Sequence, residues 1–380
     1  MYSKPRFQTI LVVSSIFLIT SAVNLQAPLY LKYAELAGYG YGLTTIVFAS
    51  YVIGLAPILV FFGGISDRIG RKNSILFGLI LAIFATSLMV ILPKIQTLVI
   101  TRILQGVSFG LCAGATSAYL AELMGNPTKA AAYVTIFTSV GFGIGGLFTS
   151  IFLDGQTLVP SSYWIVIFLT VCCTVLFLGI PEQKKTPGSI LRLAHVPRGS
   201  VLIGLTITTA WSVSGLTISV LPGQLTQHHF DNWSGLAMFL VMGLGALAQP
   251  IARKMDPLRS IKIGFVLIPT GCLLLLMGAW LGNLVAILVG VSLAGLACYG
   301  FTYLGGMALF AKEAGQKNAR VISGYYLFAY LGFSVPIIVV GFISDILGIF
   351  GALIIFVTGI IIANGILFIL LKSKVVKNIN

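Results

Sequence analysis

Long apolar runs separated by short polar clusters make up nearly the whole sequence. Each run reaches the roughly 20 residues that a helix needs to cross the hydrocarbon core of a bilayer. The charge-free stretch 263–311 is too long for one crossing, so we divide it near Gly282-Asn283. The pattern predicts twelve membrane-spanning helices, at 8–31, 41–65, 73–92, 97–121, 130–153, 161–180, 200–224, 233–252, 261–281, 284–310, 321–343 and 349–371.

The composition supports lipid as the solvent for most of the chain. Hydrophobic residues make up 58% of the sequence, charged residues only 8%, and the mean hydropathy is +1.04. A soluble domain would carry about 25% charged residues, and a membrane barrel would alternate apolar and polar residues in segments of about ten. We therefore expect an all-α, multi-pass protein of the cell (inner) membrane, with the lipid bilayer as its surroundings.

The net charge of +14 reflects the topology of the chain and does not indicate nucleic-acid binding. When the twelve helices are placed in alternating directions, 20 of the 23 basic residues fall on one side of the membrane. Lys32 and Lys94 fall on the other side, and Arg102 lies inside a span. Because basic loops stay in the cytoplasm, the asymmetry predicts that both termini are cytoplasmic.

The longest polar stretch, Pro181–Arg198, divides the predicted spans into six and six. Membrane transporters are often built from two such structural repeats. The sequence therefore predicts an N-terminal six-helix bundle at 1–180, a cytoplasmic linker at 181–198 and a C-terminal six-helix bundle at 199–380. We expect the protein to be a monomer.

A short charged loop, Gly63–Ser74 with the sequence GGISDRIGRKNS, joins the second and third spans. Its pattern Gly-x-x-x-Asp-Arg-x-Gly-Arg-Lys resembles the cytoplasmic loop after the second helix of major facilitator superfamily transporters. That resemblance implies two six-helix bundles that alternate in access, with a conformational switch in this loop. The alternative is that these residues are surface charges that only fix the topology.

The resemblance also implies roles for individual residues of the loop. The matching Asp67 docks against the start of the eleventh helix and helps to hold the outward-facing state. The matching Arg71 pairs with an acid at the end of the fourth helix, where this chain has Glu122. The predicted switch comprises Gly64, Asp67, Arg68, Gly70, Arg71 and Glu122.

Arg102 is the one full charge well inside a predicted span. Such a charge is costly in lipid and is a functional candidate by default. The pattern Arg-x-x-Gln-Gly resembles the fourth-helix motif of the same superfamily, in which the arginine faces the cavity and is often tied to proton coupling. Two other interpretations stay open: the side chain snorkels to the outer headgroups, or it donates to carbonyls of a neighbouring helix.

All nine acidic residues fall in loops or at the ends of spans. Direct proton coupling through a buried carboxylate therefore lacks a candidate residue, although protons or another coupling ion remain possible partners. An unpaired buried arginine suits an anionic substrate, whose carboxylate or phosphate it would grip from two points.

The segment 138–150, TSVGFGIGGLFTS, resembles the fifth-helix motif of antiporters but departs from its ending. Gly146 replaces the proline of that motif, and Thr149-Ser150 replaces its final glycine pair. The small residues also suit tight helix packing, so the sequence leaves the direction of transport open.

Polar and aromatic residues inside the spans are candidates for contact with a substrate or with coupling, although such side chains more often serve packing. The set, together with Arg102, is Asn24, Gln26, Gln105, Tyr119, Trp211, Tyr299, Tyr303, Tyr326 and Tyr330. No cofactor or metal site is expected: the five cysteines lie in spans without a Cys-x-x-Cys pair, and the default for His228, His229 and Asp231 is a solvated loop.

The sequence favours a secondary active transporter over an enzyme, because no set of catalytic groups shares one membrane depth. A loop of the form Gly-x-x-x-x-Gly-Lys-Ser/Thr, which would indicate ATP as the energy source, is absent from the sequence. The frequency of functions in the resembled family favours a drug or metabolite exporter. The chemistry of Arg102 favours an organic-anion or siderophore carrier as the alternative, and a channel or receptor on the same fold is the third hypothesis.

Overall fold

The computed structural model describes residues 5–153, 157–182, 191, 193–313 and 319–377, and these residues form helices and connecting turns without strands. Half of the predicted linker, at 183–190 and 192, lies outside the described residues. The same holds for five of the basic residues counted above, namely Lys4, Lys184, Lys185, Arg192 and Lys317.

The first half of the chain contains eight helices among its described residues. They are α1 (Pro5–Asn24), α2 (Tyr30–Leu36), α3 (Tyr41–Val60), α4 (Ile65–Ile69), α5 (Arg71–Ile91), α6 (Ile95–Met124), α7 (Pro127–Ile151) and α8 (Ser161–Leu178). A 3₁₀ turn, Ala27–Leu29, joins α1 to α2.

The described part of the second half contains eight further α-helices. They are α9 (Val201–Ser219), α10 (Leu221–Gln227), α11 (Ser234–Met242), α12 (Gly245–Ala252), α13 (Pro257–Leu281), α14 (Leu284–Leu296), α15 (Thr302–Glu313) and α16 (Ala319–Lys377). A π-helical turn, Ala297–Phe301, joins α14 to α15, and 3₁₀ turns precede α9 and α11.

Among the described residues, eleven helical segments are long and apolar enough to cross a membrane. The last of them, Arg320–Ser373, has 54 residues. Gly348 interrupts it with backbone angles of φ 74° and ψ 164°, which no α-helix contains. This break lies between the predicted spans 321–343 and 349–371. The prediction of an all-helical multi-pass membrane protein is confirmed.

Three of the predicted spans are interrupted within their length, and proline and glycine account for the breaks. The first span turns at Gln26 before Pro28, and the seventh is interrupted at Val220 before Pro222. The eighth is interrupted around Gly243, where α11 ends and α12 begins.

Sequence-local caps reverse the chain between several long helices. Asn126 accepts a hydrogen bond from the backbone nitrogen of Lys129 at 2.9 Å and starts α7. Asp256 and Asn283 cap α13 and α14 in the same way. Successive long helices thus run in opposite directions. We name the end of the bundle that carries residues 61–70 the motif face, and the end that carries residues 37–40 the far face.

Large apolar side chains point outward from the bundle. Trp164 is 59% exposed, Phe168 65% and Trp280 71%. Water would make such a surface aggregate, whereas hydrocarbon is its natural neighbour. Small residues line the inner contacts: Gly54 of α3 and Gly106 of α6 face each other so closely that a Cβ on either would collide with a backbone carbonyl of the other helix.

Candidate functional site

A cavity of about 420 Å³ lies between the two halves of the chain. The end of α3, most of the second half of α6 and the first part of α7 form one wall, and α9, the π turn, α15 and the start of α16 form the other. Ser66 of α4 and Ser323 of α16 lie at its motif-face end, and Phe142 and Trp211 lie at its inner end. The cavity therefore reaches from the middle of the bundle to the motif face.

The lining of this cavity is aromatic, aliphatic and hydroxylic. None of the described residues that line it is charged. Its rings come from Phe62, Phe109, Phe142, Trp211, Tyr299, Tyr303, Tyr326 and Tyr330, and its hydroxyls also include Ser117, Thr135, Thr138 and Ser139. Cavities that bind small molecules typically have this character, with a few polar groups that orient the ligand.

Trp211 is the centre of the aromatic cluster. Its ring lies 5.2 Å from that of Tyr299 and 5.1 Å from that of Tyr330, centre to centre, and the Tyr330 ring meets it edge-on. The hydroxyls of Tyr303 and Tyr326 are hydrogen-bonded to each other at 2.6 Å. These five tyrosine and tryptophan side chains were all predicted from the sequence as candidates, and the structure brings them together at one cavity.

The π turn Ala297–Phe301 determines how Tyr299 enters the cavity. A π turn shifts the backbone hydrogen bonds of a helix and often marks a functional position. Here the indole nitrogen of Trp211 donates to the carbonyl of Cys298 at 3.1 Å, and the amide of Gln249 donates to the carbonyl of Tyr299 at 3.1 Å. Both bonds come from other helices and hold the turn in place.

Arg102 is buried, with 1% of its surface exposed, and it joins three helices. From α6, its Nη1 donates to the carbonyl of Val23 at 2.8 Å, and its Nη2 donates to the carbonyl of Phe48 on α3 at 3.1 Å. The guanidinium carbon lies 4.8 Å from the ring centre of Tyr51, a favourable cation–π distance. The structure therefore shows the carbonyl-donor arrangement and does not place the side chain at the headgroups.

Arg102 also borders a void of about 10 Å³, the size of roughly one water molecule. The void shares Phe142, Trp211, Tyr299 and Tyr330 with the large cavity. Arg102 Nε faces no hydrogen-bond partner among the described residues. One N–H donor thus remains at the inner end of the aromatic cluster.

The other polar candidates of the first half occupy different places. Gln26 and Gln105 are hydrogen-bonded to each other at 2.6 Å, and Gln105 also donates to the carbonyl of Ala22. Asn24 donates to the carbonyl of Phe142 and borders the small void. These three side chains tie α1 to its neighbours, and neither glutamine lines the large cavity.

Tyr119 lies away from both cavities. Its hydroxyl donates to the carbonyl of Pro181 at 2.9 Å, and its ring packs on Phe177 at the end of α8. Tyr119 was predicted to extend the polar face of the cavity, but it does not line the cavity, because it lies on the side of α6 that packs on α8.

The motif loop is built around two carboxylates. Arg71 forms an ion pair with Glu122 at the end of α6, as the resemblance implied. Glu182 accepts from the backbone nitrogen of Lys72 at 3.2 Å and so caps the start of α5. Gly70 has φ 101°, a conformation that L side chains rarely adopt, and a Cβ there would lie 2.8 Å from the Glu182 carboxylate.

The remaining residues of the predicted switch occupy a short helix at the membrane surface. Gly64 is the N-cap residue of α4, Asp67 lies half-buried in its first turn, and Arg68 is exposed in its last turn. The sequence predicted this segment as a loop, but residues 65–69 form a helical turn.

Phe109, Phe142, Thr138 and Met307 line the cavity but were not predicted from the sequence. Phenylalanine and methionine carry no signal in an apolar run, since lipid, core and cavity accept them equally. Thr138 Oγ1 is buried without a hydrogen-bond partner among the described residues. Over the same residues, no group of three His, Cys, Asp or Glu side chains is arranged to hold a metal ion.

A helical membrane bundle with a central cavity that reaches one face is the architecture of a secondary transporter. The sequence matches the Major Facilitator Superfamily over residues 10–336, and the chain therefore belongs to that superfamily. It is accordingly a transporter and not an enzyme.

Several sequence relatives are drug-resistance proteins. The chain is 28% identical over 309 residues to the tetracycline resistance protein, class H, of Pasteurella multocida, a match that covers 74% of this chain and 72% of that protein. It is 30% identical over 141 residues to multidrug resistance protein 2 of Bacillus subtilis, covering 36% and 34%. It is 28% identical over 146 residues to the quinolone resistance protein NorA of Staphylococcus aureus, covering 36% and 37%.

Two solved structures show the same fold at low sequence identity. The human organic anion transporter MFSD10 (TETRAN) has a TM-score of 0.67 at 15% identity, covering 96% of this chain and 99% of that one. The POT family transporter PepTSo has a TM-score of 0.72 at 13% identity, covering 98% of both chains.

Proposed function

We propose that this protein is a secondary active exporter of amphiphilic aromatic molecules, neutral or cationic, that works by alternating access. The observation that carries the proposal is the uncharged aromatic cavity, which reaches the motif face. Aromatic faces accept planar apolar rings and also organic cations. The names of the tetracycline, multidrug and quinolone resistance relatives support export of drug-like molecules.

The proposed arrangement has twelve spans in two six-helix bundles, 1–180 and 199–380, with 181–198 as the linker. The break at Gly348 supports two crossings in the last segment, because a straight helix of 54 residues would be about 80 Å long, against a hydrocarbon core of about 30 Å. The basic asymmetry supports a motif face on the cytoplasmic side of the inner membrane. In this proposal the protein is a monomer, and the structure corresponds to its inward-open state.

Contacts between the inner end of the cavity and the far face support a sealed outer side. Asn24 Nδ2 lies 3.2 Å from the sulfur of Met242 on α11. Nearer the far face, the backbone nitrogen of Gly235 donates to Ser150 Oγ at 3.0 Å. Both contacts join the first half of the chain to the second, and they lie between the inner end of the cavity and the far face.

The motif loop is the proposed conformational switch on the inner side. Its ion pair, Arg71 with Glu122, fixes the loop to α6, and the cap of α5 by Glu182 fixes it to the start of the linker. In this proposal Asp67, which is half-buried in α4, docks against the start of α16 when the inner side closes. Arg68, Gly64 and Gly70 complete the switch.

Export is tested in a bacterial strain that lacks its own efflux pumps. Expression should raise the inhibitory concentrations of tetracycline, a quinolone or ethidium several-fold and should speed the loss of preloaded ethidium. Trp211→Ala, expressed to the same level, serves as the matched variant with a damaged cavity. If no neutral or cationic aromatic probe leaves cells faster than in the empty strain, the exporter proposal is wrong.

The proposed orientation in the membrane predicts that two engineered cysteines react with an impermeant reagent from opposite sides. Leu193→Cys on the motif face should react with an impermeant thiol reagent only in inside-out vesicles, and Asp231→Cys on the far face should react in intact cells. Both native side chains are exposed, so the rates report the side of the membrane. Labelling of Leu193→Cys in intact cells would reverse the proposed topology.

A second candidate function is the transport of an organic anion or siderophore with Arg102 as the anion-binding group. The free Nε–H of Arg102 beside the small void favours it. In this candidate, an anionic aromatic probe would move at a rate comparable to that of ethidium. Coupling to protons or to another ion is proposed for either function, and an imposed pH gradient across proteoliposomes tests it.

A further inference from the structure

Helix α3 begins at the far face, and no side chain at its N-cap position caps its first turn. Gly40 occupies the N-cap position, with φ −88° and ψ −169°, and provides no side chain. The preceding residues 37–39 are Ala, Gly and Tyr, and no side-chain cap hydrogen bond is formed at the N-cap Gly40. The first N–H groups of α3 therefore need an acceptor from elsewhere, because the first turn of a helix leaves them unpaired.

Asp345 of α16 supplies that acceptor from the other half of the chain. Its Oδ1 accepts from the backbone nitrogen of Tyr41 at 2.7 Å, and its Oδ2 accepts from that of Gly42 at 2.9 Å. Both carboxylate oxygens are thus used, and the negative charge lies at the positive end of the α3 dipole. The contact connects residues 304 positions apart in the sequence.

Three glycines make this approach possible. A Cβ on Gly40 would collide with Asp345 Oδ1, and one on Gly42 would lie 2.8 Å from Oδ2. One helical turn before Asp345, a Cβ on Gly341 would collide with Thr45 Oγ1. Further toward the middle of the bundle, the rings of Phe48 and Phe333 continue the contact at 4.7 Å between centres.

We propose that Asp345 is a latch that holds the far face closed by capping α3 across the two halves. The inference rests on the proposed alternating access. In any state in which the far-face ends of α3 and α16 separate, the N–H groups of Tyr41 and Gly42 lose the carboxylate, so the hydrogen bonds favour the closed far face. The latch lies at the end of α3 opposite to the motif loop and uses none of its residues.

The test measures how often the far face opens, without using a substrate. Thr45 is fully buried beside Gly341, so an engineered Thr45→Cys becomes reactive when α3 and α16 part. Its labelling rate with an impermeant maleimide is compared in intact cells and in inside-out vesicles, after subtraction of the native cysteines. Because both sides are measured, the result does not depend on the proposed orientation.

Asp345→Ala should raise the labelling rate of Thr45→Cys from the far face by about two- to thirtyfold, the range for loss of a helix cap. Asp345→Asn should give a smaller rise, since the amide oxygen still accepts one hydrogen bond. Gly40→Ala should mimic Asp345→Ala, and the double variant should add little to either. Asp231→Ala, another exposed acid on the same face, should leave the rate unchanged.

Equal rates in Asp345→Ala and the parent, in protein of matching size-exclusion profile, would overturn the latch. An equal rise in Asp231→Ala would also overturn it, because the effect would then be one of surface charge. A failure of drug export in cells bears on the exporter proposal alone, because the labelling rates need no transported substrate.

Discussion

Replacing Arg102 with lysine is expected to impair transport almost as severely as replacing it with alanine. The guanidinium donates to carbonyls on two different helices and lies against the ring of Tyr51. A single ammonium cannot reproduce that planar fork. Inter-helix hydrogen bonds in membranes contribute about 0.6–1.7 kcal/mol each, so both substitutions should lower the free energy of unfolding by about 1–3 kcal/mol.

The measurements are transport of ethidium in proteoliposomes and thermal unfolding in detergent. A loss of about 1–3 kcal/mol that acts on one transport state would shift the equilibrium between the two states about five- to 150-fold. The transport rate should therefore decrease by a factor in that range. Arg259→Lys is the control, because Arg259 is exposed at the start of α13. A lysine variant at position 102 with parental transport and unfolding temperature would contradict the assigned role.

The features that sequence reasoning predicted well are local ones. Apolar runs of spanning length predict helices because lipid leaves the backbone no other partner. Tyr299 and Tyr303 share a helix face because four residues make about one turn, and both line the cavity. The pairing of Arg71 with Glu122 is not local: the resemblance of the motif loop to a known family implied it, and the ion pair is present.

The features that sequence reasoning missed depend on which helices become neighbours. The acceptors of Arg102 are main-chain carbonyls, which every residue has, so no pattern marks them. Tyr119 was predicted near the cavity, yet its partner is the carbonyl of Pro181, at the start of the predicted linker. Asp345 was counted only as an acid at the end of a span, because its partners are 304 and 303 residues away.

Replacing Trp211 with alanine is expected to remove most of the affinity for aromatic substrates while the protein still folds. The indole is 5% exposed and is in contact with the rings of Tyr299 and Tyr330. It also holds the carbonyl of Cys298 in the π turn. Truncation of a central aromatic residue in a binding site typically costs at least about 2 kcal/mol, which is roughly thirtyfold in the dissociation constant.

Two further variants separate loss of ring contact from loss of the hydrogen bond. Trp211→Phe retains an aromatic face but no N–H donor, so it should keep most of the affinity for ethidium if stacking dominates. Trp164→Ala removes an indole of the same size from the outward side of α8, where it is 59% exposed, and should leave affinity unchanged. Quenching of ethidium fluorescence in nanodiscs gives the dissociation constants.

If Trp211→Ala and Trp164→Ala bind ethidium equally well, the aromatic cluster serves only packing and the substrate binds elsewhere. If Trp211→Phe loses as much as Trp211→Ala, the indole acts through the π turn, and the position of Tyr299 becomes the determinant of binding.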